Sequence, residues 1–374
     1  MKIQVCKRCI MDTTADDIFF DLNGICNYCT EFIERQNKIK KNKPDIKNLI
    51  SEIKKKGRKL KYDCIVGVSG GVDSSFSLIK ACELGLRPLA VHLDNGWNSE
   101  LAQSNISNLI RKYKVDLFTH VIDWKEYKNF QEAFLLSNVI DLELLMDNAM
   151  LSINYKLANK YKTKYILSGT NTSTEGFRIP PNWSWFKNDK TNIKKIGKKF
   201  KNQKLKTFPT FGTFDFIKYE LFKKIKWILF PDFFEYNKDN VIKELIEKID
   251  YKPYPYKHYE SVFTRFYQGY ILPKKFGVDK RKLHLSNLII SNQMSRNDAL
   301  IIIQQPNYIN PKDEKKDIKY FLKKMKWSQN KFDKYIVSEE INHAFYGSEK
   351  KLWDFLSEIY KKSKIIKKYF NREK

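Results

Sequence analysis

Apolar residues between positions 61 and 168 fall into two alternating rhythms. Short β-rich runs at Tyr62–Val68, Pro88–Leu93, Leu117–Ile122 and Lys164–Ser168 read as strands. Amphipathic stretches over about 74–84, 99–113, 127–138 and 143–161 read as helices, with Gly85 stopping the first. A further β-rich run, Ile225–Phe230, reads as a fifth strand. Strand–helix alternation of this kind predicts an α/β fold, a doubly wound and mostly parallel sheet covered on both faces. Past Tyr251 the strand signal fades, and from Ser261 helical periodicity dominates, so a helical C-terminal region follows. The lysine-rich stretch Asn188–Lys206 is weakly periodic and reads as an exposed or mobile insert.

Composition narrows the class. A chain of 374 residues with 42% apolar content supports a packed core and two domains, with room for a small appendage. No apolar run reaches membrane-spanning length, and Met1–Arg8 holds no signal-peptide core, so a cytoplasmic protein is expected. The net charge of +27 admits a nucleic-acid partner. Lysine, however, is spread from Lys38 to Lys374 rather than gathered on one stretch, as in AT-rich genomes. The charge therefore speaks first to solubility and non-specific binding, and a nucleic-acid partner is not expected.

Four of the six cysteines carry a pattern. Cys6-Lys-Arg-Cys9 and Cys26-Asn-Tyr-Cys29 are two C-x2-C pairs with sixteen residues between them, a zinc-ribbon spacing. Two such turns supply a closed tetrahedral sulfur site, which points to structural Zn²⁺ rather than a catalytic metal. Disulfides are the alternative, disfavoured in the cytosol. Cys64 and Cys82 fall inside a predicted strand and helix and read as small core residues. The boundaries that follow are 1–40 for the zinc-binding segment, 41–250 for the α/β domain and 251–374 for the helical substrate or partner region.

Three loops follow predicted strands, where anion sites of parallel sheets lie: Ser69–Ser75, Asp94–Asn98 and Gly169–Gly176. In the first, Ser69-Gly-Gly-Val-Asp-Ser-Ser75, successive N–H groups and a helix start form a nest for phosphate oxygens. Ser69, Ser74 and Ser75 add hydroxyls. Asp73 repels phosphates unless a cation lies between, which predicts Mg²⁺ at this carboxylate. The lysine of a Walker A loop is missing.

This stretch resembles the S-G-G-x-D-S pyrophosphate loop of the ATP pyrophosphatases, the PP-loop superfamily with the adenine nucleotide alpha hydrolase-like fold. The resemblance implies ATP gripped through Ser69, Gly70, Gly71, Asp73, Ser74 and Ser75, with Asp94 near the nucleotide. Gly169-Thr170-x4-Glu175 is similar to the NAD synthetase loop whose glutamate helps hold Mg²⁺, which implies Glu175 as a second metal carboxylate. Further blocks extend the likeness: Lys257-His-Tyr-Glu260, Thr264–Gln268, Leu272–Arg281, His284–Ile289 and Gln293–Arg296, with the opening Cys-x2-Cys-Ile-Met-Asp-Thr-Thr. Together they resemble the N-acetyl sugar amidotransferases of surface-polysaccharide synthesis; Tyr259 stands where that family tends to have glycine.

The resemblance implies adenylylation of an acetamido oxygen and its replacement by ammonia, releasing AMP and PPi. The substrate would be a nucleotide-activated or nonulosonic N-acetyl sugar. Anionic sugars call for cations, and Lys257, Arg265, Lys274, Lys275, Lys280 and Arg281 are candidates, with the two arginines favoured. Glu260 would orient ammonia or take its proton. No cysteine has a glutaminase setting, so ammonia would come from a separate glutaminase subunit, with a cyclase-like companion. The competing reading is a tRNA-thiolating enzyme of the same superfamily; a third is a non-catalytic ATP-binding scaffold. Trp183-Ser-Trp185 is a candidate stacking platform, with core packing as the alternative.

Overall fold

The structure, a computed structural model, describes residues 3–41, 45–254, 259–308 and 310–370. Two helices, α1 (Asn27–Lys41) and α2 (Ile46–Gly57), precede the sheet. The sheet has five strands: β1 (Cys64–Gly67), β2 (Pro88–Asp94), β3 (Leu117–Val121), β4 (Tyr165–Ser168) and β5 (Lys226–Leu229). Every pairing is parallel and the order is β3-β2-β1-β4-β5. The chain winds outward from β1 to β2 and β3, then returns to the other side of β1 for β4 and β5. The switch point therefore lies between β1 and β4, where a crevice opens at the carboxyl ends of the strands.

Side chains of β1 alternate between two cores, as the period of a strand requires. Cys64, Val66 and Val68 face α2, α3 (Val72–Glu83) and α4 (Glu100–Tyr113); Ile65 faces the opposite core. That second core includes α5 (Trp124–Leu136) and α6 (Leu144–Lys160). It is continuous from Cys6, Cys9, Cys26 and Cys29 through α6 to Phe263, Phe266, Phe321 and Phe332. The cysteine segment and the C-terminal helices are thus packed on one hydrophobic mass. As the periodicity predicts, residues from Val262 onward are mainly helical.

The lysine-rich insert differs from its expectation. Lys190–Lys201 forms a helix, α8, after the single turn α7 (Thr172–Glu175). Asp189 caps α8 by accepting from Asn192 N, and Ile193 and Ile196 are fully buried. The Cβ of any larger residue at Gly197 would come within 2.3 Å of Phe130 on α5, so this glycine permits the helix–helix approach. Lysines hold the outer face while three-residue apolar spacing holds the inner one. Among the described residues no helix is long and apolar enough to cross a membrane.

Candidate functional site

The loop Ser69–Gly71 leaves β1 and turns into α3. Gly70 has φ +82°, and a Cβ there would meet Ala102 O on α4 at 2.6 Å, so only glycine makes this turn. The serines brace the loop from within. Ser69 N donates to Ser74 Oγ at 3.2 Å, and Gly71 N donates to Ser69 Oγ at 3.2 Å. Tyr254 Oη and Asn105 Nδ2 donate to Gly70 O at 3.1 and 3.4 Å. Gly71 caps α3 without a side-chain hydrogen bond, so the helix start presents backbone N–H groups and its positive end to the crevice.

The β4 loop closes against this helix start. A Cβ on Gly169 would lie 2.7 Å from Ser74 N and 2.9 Å from the Asp73 carbonyl carbon. Asn171, the cap of α7, accepts from Thr174 N at 2.8 Å and donates Nδ2 to Asp73 Oδ1 at 3.1 Å. Tyr236 Oη donates to the same carboxylate oxygen. Burial first, then Asp73 and Glu175, raise the Tyr236 phenol, so both carboxylates bear on one hydroxyl. An oriented carboxylate beside a second one is a donor set suited to Mg²⁺, an oxygen-loving cation. Asp73 and Glu175 are the residues that would hold it.

A third carboxylate arrives from the C-terminal region. Glu260 Oε1 lies 3.1 Å from the position a Cβ on Gly71 would take. Its main chain is fixed by Ser99 N donating to Glu260 O at 2.9 Å, beside an antiparallel bridge between Asn98 and Ser261. Burial, then Tyr254, Glu260 and Asp73, raise the Tyr251 phenol, which sets Tyr251 among these acids. Asp94 ends β2 next to β1, and its Oδ1 accepts from Gly96 N at 2.8 Å and Asn98 Nδ2 at 3.1 Å. Ser69, Gly70, Gly71, Asp73, Ser74, Gly169, Glu175 and Glu260 thus meet in one crevice, with Asp94 on its β2 side.

Other expected site residues stand elsewhere. Ser75 is fully buried on the inner face of α3, so its hydroxyl does not line the loop mouth. Thr170 is exposed, and its N–H and Oγ1 both bond Ser168 Oγ at 3.1 Å. Arg265 makes a two-pronged pair with buried Asp317, at 2.6 and 2.5 Å, and stacks over Tyr259. Arg281 is engaged by Asp279 at 2.7 Å and by Gln305 O at 2.8 Å. Both guanidinium groups are thus engaged by internal partners. Lys275 bonds Tyr335 O and Ser338 O, and burial lowers its amine to about 8. Lys280 pairs with Glu143 at 2.9 Å, while Lys274 is exposed. Lys257 and His258 lie outside the described residues. Trp183 is fully buried and donates to Thr14 O, and Trp185 stacks on His343.

Sequence reasoning missed Asn105, Asn171, Tyr236, Tyr251 and Tyr254. Asn171 stood in a loop already singled out; the tyrosines carry no motif.

The cysteine site assembles as the spacing predicts. Cys6, Cys9, Cys26 and Cys29 are buried, with all four sulfur atoms within 4.8 Å of one another. Three of the S···S distances are 3.9, 3.7 and 3.7 Å. Tetrahedral zinc with bonds of ~2.3 Å sets sulfurs roughly 3.8 Å apart. Backbone N–H groups of Arg8, Met11 and Cys26 point at these sulfurs at 3.3–3.4 Å, as they do toward thiolates. Four convergent thiols in this arrangement fit a structural zinc ion.

Residues 260–360 match the family model described as LPS biosynthesis protein WbpG-like, C-terminal domain. No curated protein matches the chain. Among solved structures it is similar to an NH3-dependent NAD synthetase from Campylobacter jejuni, at 15% identity and TM-score 0.28, over 36% of this chain and 59% of that one. It is also similar to an NMN synthetase from Francisella tularensis, at 17% identity and TM-score 0.26, over 47% and 70% of the two chains. A predicted subunit of tRNA methyltransferase from Methanocaldococcus jannaschii gives 16% identity and TM-score 0.29, over 49% and 76%. Overlaps this partial carry no argument about activity. The weight rests on the S-G-G-x-D-S loop at the switch point of a parallel α/β sheet and on residues 260–360, which carry a WbpG-like C-terminal domain.

Proposed function

We propose that the chain is an ATP-dependent, AMP-forming C–N ligase that converts the acetamido group of an N-acetyl sugar to an acetamidino group in surface-polysaccharide synthesis. One observation carries the reading. Glu260, the first residue matched by the WbpG-like domain, reaches the pyrophosphate loop at Gly71. The domain that sets this chain apart from other nucleotide-binding folds therefore contributes directly to the nucleotide crevice.

The chemistry follows from where charge develops. The loop N–H groups and the α3 start grip the β,γ-phosphates of ATP and leave the α-phosphorus accessible. The acetamide oxygen attacks that phosphorus, the bond to pyrophosphate breaks, and an O-adenylyl imidate results. Ammonia adds to the imidate carbon, a proton passes to Glu260, and AMP departs with the former amide oxygen. Mg²⁺ held by Asp73 and Glu175 would offset charge on the departing pyrophosphate. Asn171 and Tyr236 orient Asp73 for that task. Ammonia would reach the site from a separate glutaminase subunit with a cyclase-like companion.

The thiolation reading is weaker. Cys64 is fully buried and desolvation raises its thiol, and Cys82 is raised to about 11 by burial and Glu83. Neither is an activated sulfur carrier. The test is direct. Purified protein, ATP, Mg²⁺, ammonium chloride and an N-acetyl sugar should release AMP and PPi in equal amounts, with a mass loss of one unit on the sugar. Absence of AMP with both nucleotide-activated and nonulosonic sugars sinks the proposal.

A further inference from the structure

The helix Lys350–Phe370 starts at a junction that leaves one of its faces bare. Glu349, the residue before it, accepts from Thr191 N of α8 at 3.1 Å and from Thr213 N of the short turn Thr213–Phe216 at 2.7 Å. Three helix starts therefore meet at one carboxylate. Trp353 holds the helix down, its ring 4.7 Å from Phe216 and 5.2 Å from Phe186. Leu352, Phe355 and Ile359 form a second stripe, at the three- and four-residue steps that share a helix face. They are 36, 61 and 49% exposed. Phe214 beside the junction and Phe345 just before it are each 70% exposed. A single apolar side chain on a surface is ordinary, but five large ones around one junction mark an interaction site.

Lysine surrounds these side chains. α8 carries six lysines and no acid. The carboxylates that reach it pair at its two ends, Asp215 with Lys190 at 3.6 Å and Glu132 with Lys201 at 2.8 Å. Between them Lys194, Lys195, Lys198 and Lys199 stand exposed and make no ion pair among the described residues. Lys199 Nζ lies 5.2 Å from the centre of the Phe345 ring, so cation and aromatic share one spot. On the helix itself Asp354 is taken by Lys350 at 2.7 Å, and exposed Glu358 is offset by exposed Lys351. Seven of residues 361–374 are lysine or arginine, against Glu373 as the sole acid of that stretch. The charge around the apolar stripe is thus positive on both sides.

We infer that this face, α8 with the outer stripe of the helix Lys350–Phe370, rests on a bilayer surface bearing anionic lipid. The chemistry is that of an interfacial helix: apolar side chains enter the acyl boundary while lysines meet headgroup phosphates. Charge argues against a second copy as the occupant, because each chain carries +27 and like faces repel. The apolar groups come from three segments with lysines beside them. A fluid interface accepts that pattern, since each side chain inserts on its own, whereas a folded partner must present a matching relief. The association is peripheral and needs no membrane-spanning helix. The inference goes beyond the amidation reading and stands without it, since it invokes neither ATP, ammonia nor a sugar.

The test is co-sedimentation of the full-length, zinc-loaded protein with vesicles, without nucleotide. Retention is expected on phosphatidylcholine containing about one-third phosphatidylglycerol, and not on phosphatidylcholine alone. It should fall as salt rises from about 0.1 to about 0.5 M. Any basic protein adsorbs to an anionic surface, so the deciding variant leaves charge untouched. Phe355→Ser combined with Ile359→Ser should weaken retention by about tenfold or more. Leu22→Ser, at an exposed position of the cysteine-bearing segment, should change nothing. Lys195→Gln with Lys198→Gln is the independent charge variant and should also weaken retention; thermal melting of each variant should match the parent. No retention on anionic vesicles, equal retention on phosphatidylcholine alone, or retention indifferent to the double serine variant overturns the inference. So does self-association in sedimentation velocity that the double serine variant abolishes, which would give the stripe to a second copy. AMP release, measured separately, reports on the amidation reading alone.

Discussion

Replacing Gly169 by alanine isolates the contact on which the nucleotide crevice depends. Gly169 is not in the left-handed region, so the added methyl brings no backbone strain of its own. It would, however, stand 2.7 Å from Ser74 N, 2.8 Å from Ser74 Cα and 2.9 Å from Asp73 C. All three are backbone atoms of the first turn of α3, and none can rotate away. Restoring ordinary contact at 3.4 Å requires the β4 loop and the helix start to part by about 0.7 Å. Overpacking of this size costs about 1–3 kcal/mol of stability. The same displacement moves the N–H groups proposed to bind phosphate relative to Asp73, and misplacement by about 1 Å lowers turnover by up to about 100-fold. Gly67→Ala is the internal control, since its Cβ would meet Asn154 no closer than 3.6 Å. The assay pairs calorimetric titration with Mg-ATP and thermal melting for both variants. Gly67→Ala should match the parent while Gly169→Ala binds ATP at least tenfold more weakly and melts a few degrees lower. Equal ATP affinity in both variants would refute the view that the β4 loop and the α3 start jointly hold the phosphates.

Further outcomes follow from other contacts. Asp73→Asn should abolish the Mg²⁺ dependence of ATP binding and cut AMP release by two or more orders of magnitude, roughly, with little change in melting; a Mg²⁺ titration curve like that of the parent contradicts the metal assignment. Cys26→Ser or a strong chelator should release one zinc per chain, read by a colorimetric dye, and lower the melting temperature; a melt indifferent to metal leaves the four-sulfur site without a structural role. Arg265→Ala leaves Asp317 buried without its partner and should cost about 3–5 kcal/mol in denaturant unfolding; a fully stable variant with a raised sugar KM would restore Arg265 as a substrate ligand. Glu132 is raised by burial but held down more strongly by Lys201, Lys331 and Trp327, to about 2. Its folded pKa lies below its unfolded value, so its contribution of about 3 kcal/mol is present above ~pH 4.3 and is lost as pH falls toward 2. Glu132→Gln should flatten the acid limb of stability in that window, and an unchanged limb counts against the assignment.

Much of the α/β part was legible because the central strands β1, β2 and β4 are buried on both faces and announce themselves as dense apolar runs. Each of the five strands lies within its expected run or departs by a residue, and the Ser69–Ser75, Asp94–Asn98 and Gly169–Gly176 loops sit at the carboxyl ends. Lysine density hid α8: Ile193 and Ile196 lie three apart, a helical signal drowned by the charge around them. The crevice itself was half legible. Glycine and aspartate at a strand exit have few other uses, so the loop could be read locally. Tyr236 and Tyr254 join it across 163 and 184 residues, and no spacing rule spans such distances. The partners of the arginines were hidden for a related reason. Arg265 meets Asp317 across 52 residues, and a cation's chemistry is set by the partner that reaches it first.

Arg296 offers its guanidinium to the carbonyls of Cys6 and Cys9, Lys282 reaches Asp12 at 2.5 Å, and Ile10 N donates to Ser286 Oγ. The thiolate knot is therefore a clasp between an early segment and a late one. Such a clasp forbids modular dissection: neither part, expressed alone, retains the surface it was shaped against. It also makes folding non-local, because the four-cysteine segment is covered by side chains nearly three hundred residues later. Loosening this clasp would disturb first the fit between the early and late segments rather than either one's own architecture.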